Sequence, residues 1–169
     1  LQIPRKRLQT HRCSRKSGYP NHRLKIYFAA SIRGGRKDQN KYNELIRFLS
    51  SKVEVLTEHV GDSSLNQTGE QNRSDKEIYQ RDLEWLESAD AVIAEVTNPS
   101  LGVGYELGIA EKLGKPVLCL FDDADHNRNL SAMISGNHKI TTFHYRDLNQ
   151  AKVEISNFLN LIPKNLKAP

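Results

Sequence analysis

Short apolar runs alternate along the chain with longer stretches in which apolar residues recur every three or four positions. The short runs, rich in β-branched and aromatic residues, predict buried strands at residues 24–30, 53–57, 90–96, 117–121 and 139–144. The helical periodicity predicts helices at residues 38–49, 74–88, 105–113 and 147–159, with a short helical piece at 130–134. Because strands and helices alternate, we expect an α/β fold, a doubly wound sheet of about five parallel strands.

Residues 1–23 lack this periodicity and contain the breakers Pro4, Gly18 and Pro20. They hold seven of the 25 Lys and Arg residues and no acid, whereas 18 bases oppose 20 acids in the remainder. We therefore expect a disordered basic tail, a single domain at residues 24–162 and a short C-terminal tail at 163–169. The favoured interpretation is a tail with no role in the chemistry, and the expected location is cytoplasmic, nuclear or both. The alternative is a targeting segment, because an acid-free, Arg-rich tail also suits an organelle transit peptide and weakly suggests nuclear entry.

The composition narrows the choice of partners. Charged residues make up 27% of the chain and hydrophobic residues 37%, as in a soluble globular protein. The net charge of +5 belongs to the tail, so we expect no nucleic-acid partner for the domain. No apolar run has the length of a membrane span, and Cys13 and Cys119 offer neither a metal-binding spacing nor a disulfide framework.

Residues 98–110 (NPSLGVGYELGIA) join a predicted strand to a predicted helix through a loop with Pro99, Gly102 and Gly104. Ligands of open α/β sheets bind at such carboxyl ends of strands. Glu106 is expected in the first helical turn, where the helix dipole favours an ionised carboxylate and hence a candidate nucleophile. The alternative is a surface charge that only complements the dipole. A dinucleotide fingerprint is set aside because its last glycine spacing is wrong.

Further polar groups follow the first two predicted strands. Ser31, Gly34 and Gly35 lie between a strand and a helix, where free N–H groups and a hydroxyl suit a phosphate, and Arg33 or Arg36 can add a guanidinium. The alternative is a glycine turn with solvated arginines. His59 follows the second strand and is expected at the same edge of the sheet.

Asp82 provides a second candidate carboxylate. It follows Ile78 by one helical turn in the helix that Ser74 and Glu77 cap, so it lies beside that helix's apolar stripe. It is either an acid–base group or a solvated helix charge. Two carboxylates beside an anion cradle are the minimal equipment for cleaving the glycosidic bond of a phosphorylated substrate, such as a nucleotide.

Several segments carry a family resemblance. They are residues 27–36 (YFAASIRGGR), 56–60 (LTEHV), 82–86 (DLEWL), 94–108 (AEVTNPSLGVGYELG), 118–121 (LCLF) and 130–134 (LSAMI). In order and spacing they resemble the 2′-deoxynucleoside 5′-phosphate N-hydrolases, which belong with the nucleoside 2-deoxyribosyltransferases. The resemblance covers roughly residues 24–160.

The resemblance implies a flavodoxin-like homodimer that cleaves deoxynucleoside monophosphates into a free base and 2-deoxyribose 5-phosphate. Since the candidate residues include no metal-ligand cluster, we expect neither a metal nor a cofactor. By motif, Glu106 takes the position of the nucleophile that forms a covalent glycosyl intermediate, Asp82 assists proton transfer, and Tyr27 orients the nucleophile.

The resemblance also assigns the substrate contacts. The residues expected to contact the phosphate are Ser31, Arg33, the backbone of Gly34 and Gly35, Ser100 and Gly102. The other subunit is expected to contribute Ser131. Ile32 and Met133 are expected to flank the base, with His59 near it. The transferases carry an acid six residues before the nucleophile, whereas this chain has Ser100 there. The serine favours monophosphates as substrates and water as the acceptor. A CMP-type ribonucleotide hydrolase, a transferase and a non-catalytic nucleotide-binding module remain alternatives.

Overall fold

The computed structural model describes residues 23–31, 36–57, 73–124 and 129–163. Its strands are β1 (Lys25–Ala30), β2 (Glu54–Val55), β3 (Ala91–Glu95), β4 (Val117–Asp122) and β5 (Thr141–Tyr145). Its helices are α1 (Arg36–Ser50), α2 (Asp75–Ser88), α3 (Leu101–Lys112), α4 (Ala132–Ser135) and α5 (Leu148–Leu161). The basic tail and the C-terminal tail lie outside the described residues, apart from Arg23 and Pro163.

The five strands form one parallel sheet in the order β2-β1-β3-β4-β5, which confirms the predicted α/β fold. The chain moves from β1 to one side and then crosses back to β3 on the other side. Such a reversal opens a crevice at the carboxyl ends of the two central strands. Ala30 pairs with Glu95 at these ends, so the segments that follow β1 and β3 start side by side.

The two faces of the sheet carry separate hydrophobic cores, because successive side chains of a strand point to opposite faces. Phe28 and Ile93 pack with α1 and α5 on one face. Tyr27 and Val92 pack with α2 and α3 on the other. Every residue of β1 and β3 except Lys25 is buried, so both central strands are covered by helices.

Most apolar residues that recur with helical spacing lie on buried faces. Tyr42, Leu45, Ile46 and Leu49 of α1 are all buried, and α2 starts with the predicted capping box between Ser74 and Glu77. In α5, however, Val153 is 61% exposed, and the buried stripe runs through Ala151, Ile155, Phe158 and Leu159. Val153 falls between the positions of that stripe, which follow the i, i+4, i+7, i+8 rule.

The predicted second strand, residues 53–57, is shorter in the structure than in the pattern. Only Glu54 and Val55 pair as β2. The Leu56 N–H still donates to the Ile26 carbonyl at 3.0 Å. After it the Thr57 side chain replaces the backbone ladder: its hydroxyl accepts a hydrogen bond from the Phe28 N–H at 2.9 Å and donates one to the Phe28 carbonyl at 2.6 Å.

The start of α3 was predicted wrongly. The helix begins at Leu101 with Ser100 as its N-cap, four residues before the predicted start at Tyr105. Gly102 and Gly104 are helical because the N-cap and the buried Val103 and Leu107 outweigh the roughly 1 kcal/mol that each glycine costs a helix. Glu106 therefore lies in the second turn, where the dipole of the N-terminus no longer favours a carboxylate.

Within the described ranges, no helix is both long and apolar enough to cross a membrane.

Candidate active site

The centre of the candidate site is a hydrogen bond between β1 and α3. The hydroxyl group of Tyr27 donates to Oε1 of Glu106 at 2.9 Å. Tyr27 is only 2% exposed and belongs to the core between the sheet and α2 and α3, while Glu106 is partly buried. The sequence motifs placed both residues in one site, and the structure brings them into direct contact.

Burial dominates the electrostatics of Glu106. It raises the pKa of this carboxyl group to about 7; the Tyr27 hydrogen bond acts in the opposite direction, and the charge of Asp82 raises the pKa further. The expectation that the helix dipole keeps Glu106 ionised is therefore wrong, because the residue lies beyond the first turn and is desolvated. Protonated and ionised forms of Glu106 coexist at neutral pH.

Tyr27 stays a neutral phenol at any physiological pH. Burial raises the pKa of its hydroxyl group well above the usual range, and the charges of Glu106 and Asp82 raise it further. Tyr27 can therefore donate a hydrogen bond to the Glu106 carboxylate but cannot act as a base.

Asp82 approaches the same crevice from α2. Its carboxylate is 26% exposed, and its oxygen Oδ1 accepts hydrogen bonds from Nε and Nη2 of Arg81 at 2.9 and 2.8 Å. Its charge acts on both Tyr27 and Glu106. The two predicted carboxylates thus belong to one electrostatic unit on the α2 and α3 face of the sheet.

The start of α3 offers an anion site beside this unit. Ser100 caps the helix, with its side-chain oxygen accepting a hydrogen bond from the Val103 N–H at 3.4 Å. Gly102 lies in the first turn, with room for a ligand to approach its backbone. The free N–H groups and the positive end of the helix dipole suit a phosphate. Ser31, 5% exposed, follows β1 at the same edge of the sheet.

Ser131 and Met133 lie elsewhere on the chain. Ser131 caps α4 and Met133 is 83% exposed. Both border a cavity of about 410 Å³ between α3 and the α4 region, which Ser100 and Leu101 also line but Tyr27, Asp82 and Glu106 do not. Within one chain, the structure does not bring these two residues to the carboxylates.

Five predicted substrate contacts lie outside the described residues: Ile32, Arg33, Gly34, Gly35 and His59. Arg36 is the first residue of α1, and its side chain also lies outside the description. The predicted anion cradle at the start of α1 and the position of His59 therefore stay predictions.

On the opposite face of the sheet lies a buried ionic network that the sequence analysis missed. Glu95, the last residue of β3, is completely buried, and the ammonium group of Lys41 lies 3.6 Å from its carboxylate. Lys41 also pairs with Asp38 at 3.4 Å and with Asp122 at 3.2 Å. The network connects α1 to the carboxyl ends of β3 and β4.

The carboxylate of Glu95 is held mainly through one oxygen. Its Oε1 accepts hydrogen bonds from the hydroxyl groups of Tyr145, at 2.9 Å, and Thr97, whereas Oε2 has no partner among the described residues. Burial raises the pKa of Glu95, and Lys41 acts against that effect. The one signal in the sequence is an acid at the end of an otherwise apolar strand. No three His, Cys, Asp or Glu side chains of the described part are grouped as metal ligands.

The family model for nucleoside 2-deoxyribosyltransferases matches residues 26–158. The 5-hydroxymethyl-dUMP N-hydrolase of Tetraodon nigroviridis is 49% identical over 132 residues, covering 78% of this chain and 92% of the relative. The mouse protein of the same name is 51% identical over 130 residues, covering 76% of this chain and 75% of the relative.

Among solved structures, the solution structure of BlsM superposes with a TM-score of 0.66 at 19% identity, covering 89% of this chain and 98% of that one. At that identity the likeness concerns the fold. The fold, the paired carboxylates and the two sequence relatives together define an enzyme of the N-glycosidase class. The chain belongs to the nucleoside 2-deoxyribosyltransferase family.

Proposed function

We propose that the chain hydrolyses the N-glycosidic bond of 2′-deoxynucleoside 5′-monophosphates and releases the free base and 2-deoxyribose 5-phosphate. The observation that carries the proposal is the partly buried hydrogen bond between Tyr27 and Glu106, with Asp82 close enough for its charge to act on both groups. Relatives at 49% and 51% identity are named for 5-hydroxymethyl-dUMP, so this nucleotide is the first substrate to test.

In the proposed reaction the ionised Glu106 carboxylate attacks the anomeric carbon of the sugar. The bond to the base breaks, and its electrons go to the base, which leaves as an anion. A water molecule then attacks the anomeric carbon of the glycosyl ester and gives a proton to the Asp82 carboxylate, the Glu106 carboxylate leaves, and Asp82 passes the proton on to the base. Tyr27 supports the first step because its hydrogen bond lowers the pKa of Glu106.

The preference for monophosphates follows from the start of α3. Ser100 has a hydroxyl group where an acid would repel a phosphate, and the helix N-terminus adds free N–H groups beside it. Ser31, at the same edge of the sheet, can donate a second hydrogen bond. Arg33, Gly34 and Gly35 remain the further expected phosphate contacts.

The proposed active form is a homodimer in which each subunit supplies Ser131 to its partner's site. Ser131 and Met133 are exposed and stand apart from Glu106 of their own chain. Two exposed apolar side chains of α3, Leu101 (97% exposed) and Tyr105 (58% exposed), add to the exposed apolar surface that Met133 provides. A second copy of the chain would cover the surface and place Ser131 beside a bound nucleotide.

The function is tested by incubating the chain with 5-hydroxymethyl-dUMP, dGMP, dCMP, dUMP, GMP and CMP and separating free base from nucleotide by chromatography. We expect base release from deoxynucleotides only. Release from CMP or GMP alone would make the chain a ribonucleotide hydrolase, and saturable binding without release would make it a nucleotide-binding module. A new nucleotide formed after addition of a second base would make it a transferase.

A further inference from the structure

Arg81 contacts the carboxylate of Asp82 through two hydrogen bonds. Two of its donors, Nε and Nη2, lie 2.9 and 2.8 Å from the same carboxylate oxygen, Oδ1. Hydrogen bonds between charged groups are roughly twice as strong as neutral ones. The guanidinium also lies over the ring of Trp85, with 4.6 Å from its central carbon to the ring centroid.

These contacts fix the Asp82 carboxylate from within one helix. Trp85 lies one turn after Arg81, so the Trp85 ring and the Asp82 carboxylate restrain the guanidinium from two sides. Both donors contact Oδ1, so the guanidinium restrains the carboxylate through one of its two oxygens. Arg81 is 16% exposed, so solvent screens the pair only partly.

The same pair affects the charge balance of the site. The described groups that act on Glu106 are Tyr27 from β1, which lowers its pKa, and Asp82 from α2, which raises it. On Tyr27, Arg81 acts in the direction opposite to Asp82. The guanidinium therefore offsets the negative charge of Asp82 within the crevice.

We propose that Arg81 is a positioning residue for the reaction, which orients Asp82 for proton transfer and shields Glu106 from the Asp82 charge. This inference rests on the proposed function. Arg81 itself touches neither substrate nor reacting atoms in this role; it acts through Asp82.

The proposal separates two effects that different variants can isolate. Arg81→Gln removes both the positive charge and the pair of guanidinium hydrogen bonds to Asp82. We therefore expect kcat on 5-hydroxymethyl-dUMP to fall by about tenfold or more, with KM changing by less than about threefold. The acid limb of kcat/KM should move to higher pH, because Glu106 then faces an uncompensated Asp82. Arg81→Lys keeps the positive charge, so the acid limb of kcat/KM should stay at the wild-type pH. An ammonium group cannot reproduce the two guanidinium hydrogen bonds to Asp82, so kcat should recover only in part.

The matched control is Lys76→Gln, which removes one exposed positive charge from the same helix at a distance from Asp82. It should leave kcat, KM and the acid limb unchanged. The decisive comparison is Arg81→Gln in an Asp82→Asn background, measured by single-turnover kinetics with excess enzyme. If Arg81 acts through Asp82, the second substitution should have no further effect.

The inference would be overturned if Arg81→Gln kept the wild-type kcat and the wild-type acid limb of kcat/KM. It would also be overturned if Arg81→Gln lowered the single-turnover rate as much in the Asp82→Asn background as in the wild-type chain. Thermal unfolding of each variant separates these results from loss of folding, and Arg81→Lys provides the conservative test if Arg81→Gln does not fold. Absence of base release by the wild-type chain would instead overturn the proposed function, and this inference with it.

Discussion

At the residue scale, the candidate site is defined by a donor and an acceptor that are 79 positions apart in the sequence. Tyr27 is buried in the sheet and Glu106 is partly buried on α3, so their hydrogen bond forms in a region of low dielectric constant. Burial raises the pKa of Glu106 to about 7, and the phenol counteracts this rise. The proposed reaction needs the ionised carboxylate, so activity should be lost as the pH falls through this pKa.

Replacing Tyr27 by Phe tests this balance. Without the hydrogen bond, the pKa of Glu106 should rise above about 7, and the acid limb of kcat/KM should move to higher pH. Hydrogen bonds to charged groups contribute about 1.5–3 kcal/mol, so kcat/KM at pH 6 should fall by about tenfold or more, with a smaller loss at pH 9.

Tyr145→Phe is the matched control, since Tyr145 also donates to a buried carboxylate, that of Glu95, but on the other face of the sheet. The pH–rate profile of this variant should keep the wild-type limb. A Tyr27→Phe profile with an unshifted acid limb would show that the phenol does not control the ionisation of Glu106.

At the element scale, α1 is attached to the sheet by charge as well as by its apolar face. Lys41 lies among Asp38, Glu95 and Asp122, and it is the cation nearest to a fully buried carboxylate among the described residues. The pKa of Lys41 is raised because these acids outweigh the effect of its burial. The network thereby fixes the start of α1, which follows the predicted phosphate-binding segment.

We expect Lys41→Met to lower the free energy of unfolding by about 3–5 kcal/mol, the usual cost of leaving one partner of a buried ion pair uncompensated. Glu95 has a raised pKa in the folded state, and loss of Lys41 raises it further. A group with a raised folded pKa loses stability as the pH rises, so the loss should be larger at pH 8 than at pH 5.

Urea unfolding at the two pH values measures this effect, with Lys152→Met as control. Lys152 pairs with the exposed Glu44, so its replacement should cost about 1 kcal/mol or less. Removing both partners, in Lys41→Met with Glu95→Gln, should restore part of the stability. A loss that is equal at both pH values would contradict the assigned role of Glu95.

The helices and strands also show how much of the structure could be predicted from the sequence. Hydrophobic periodicity identified all five strands and the buried face of α1, because both patterns are local. It misplaced the start of α3, since Gly102 and Gly104 read as a loop although Ser100 caps a helix there. The Lys41–Glu95 pair joins residues far apart in the chain, and its geometry depends on strand order, which no local pattern contains.

At the scale of the whole molecule, the residues assigned to the site by resemblance fall on two surfaces. Tyr27, Asp82 and Glu106 form one unit, whereas Ser131 and Met133 border a cavity on another side of α3. The proposed homodimer, in which each chain would complete its partner's site, would reconcile the two. The sequence alone could not separate these surfaces, because the residues come from segments far apart in the chain, and their relative positions depend on the fold.

Mixing an inactive variant with an impaired one tests the shared site. Glu106→Gln should be inactive, and Ser131→Ala should lose about tenfold or more of the activity. In a mixed dimer, intact Glu106 of one chain meets intact Ser131 of the other, so random exchange should restore about a quarter of the wild-type sites. Light scattering establishes the dimer, and the unmixed variants are the control. Activity that stays at the level of the unmixed variants would place Ser131 outside the partner's site.

The most direct measurement for the account is the rate of base release from 5-hydroxymethyl-dUMP by the wild-type chain and by Glu106→Gln. The matched control is Glu154→Gln, which changes a partly exposed glutamate on α5, on the opposite face of the sheet. We expect wild type and Glu154→Gln to release base at equal rates, and Glu106→Gln to be slower by about a thousandfold or more while still binding the nucleotide. Near-normal release by Glu106→Gln would contradict the assignment of Glu106 as the nucleophile.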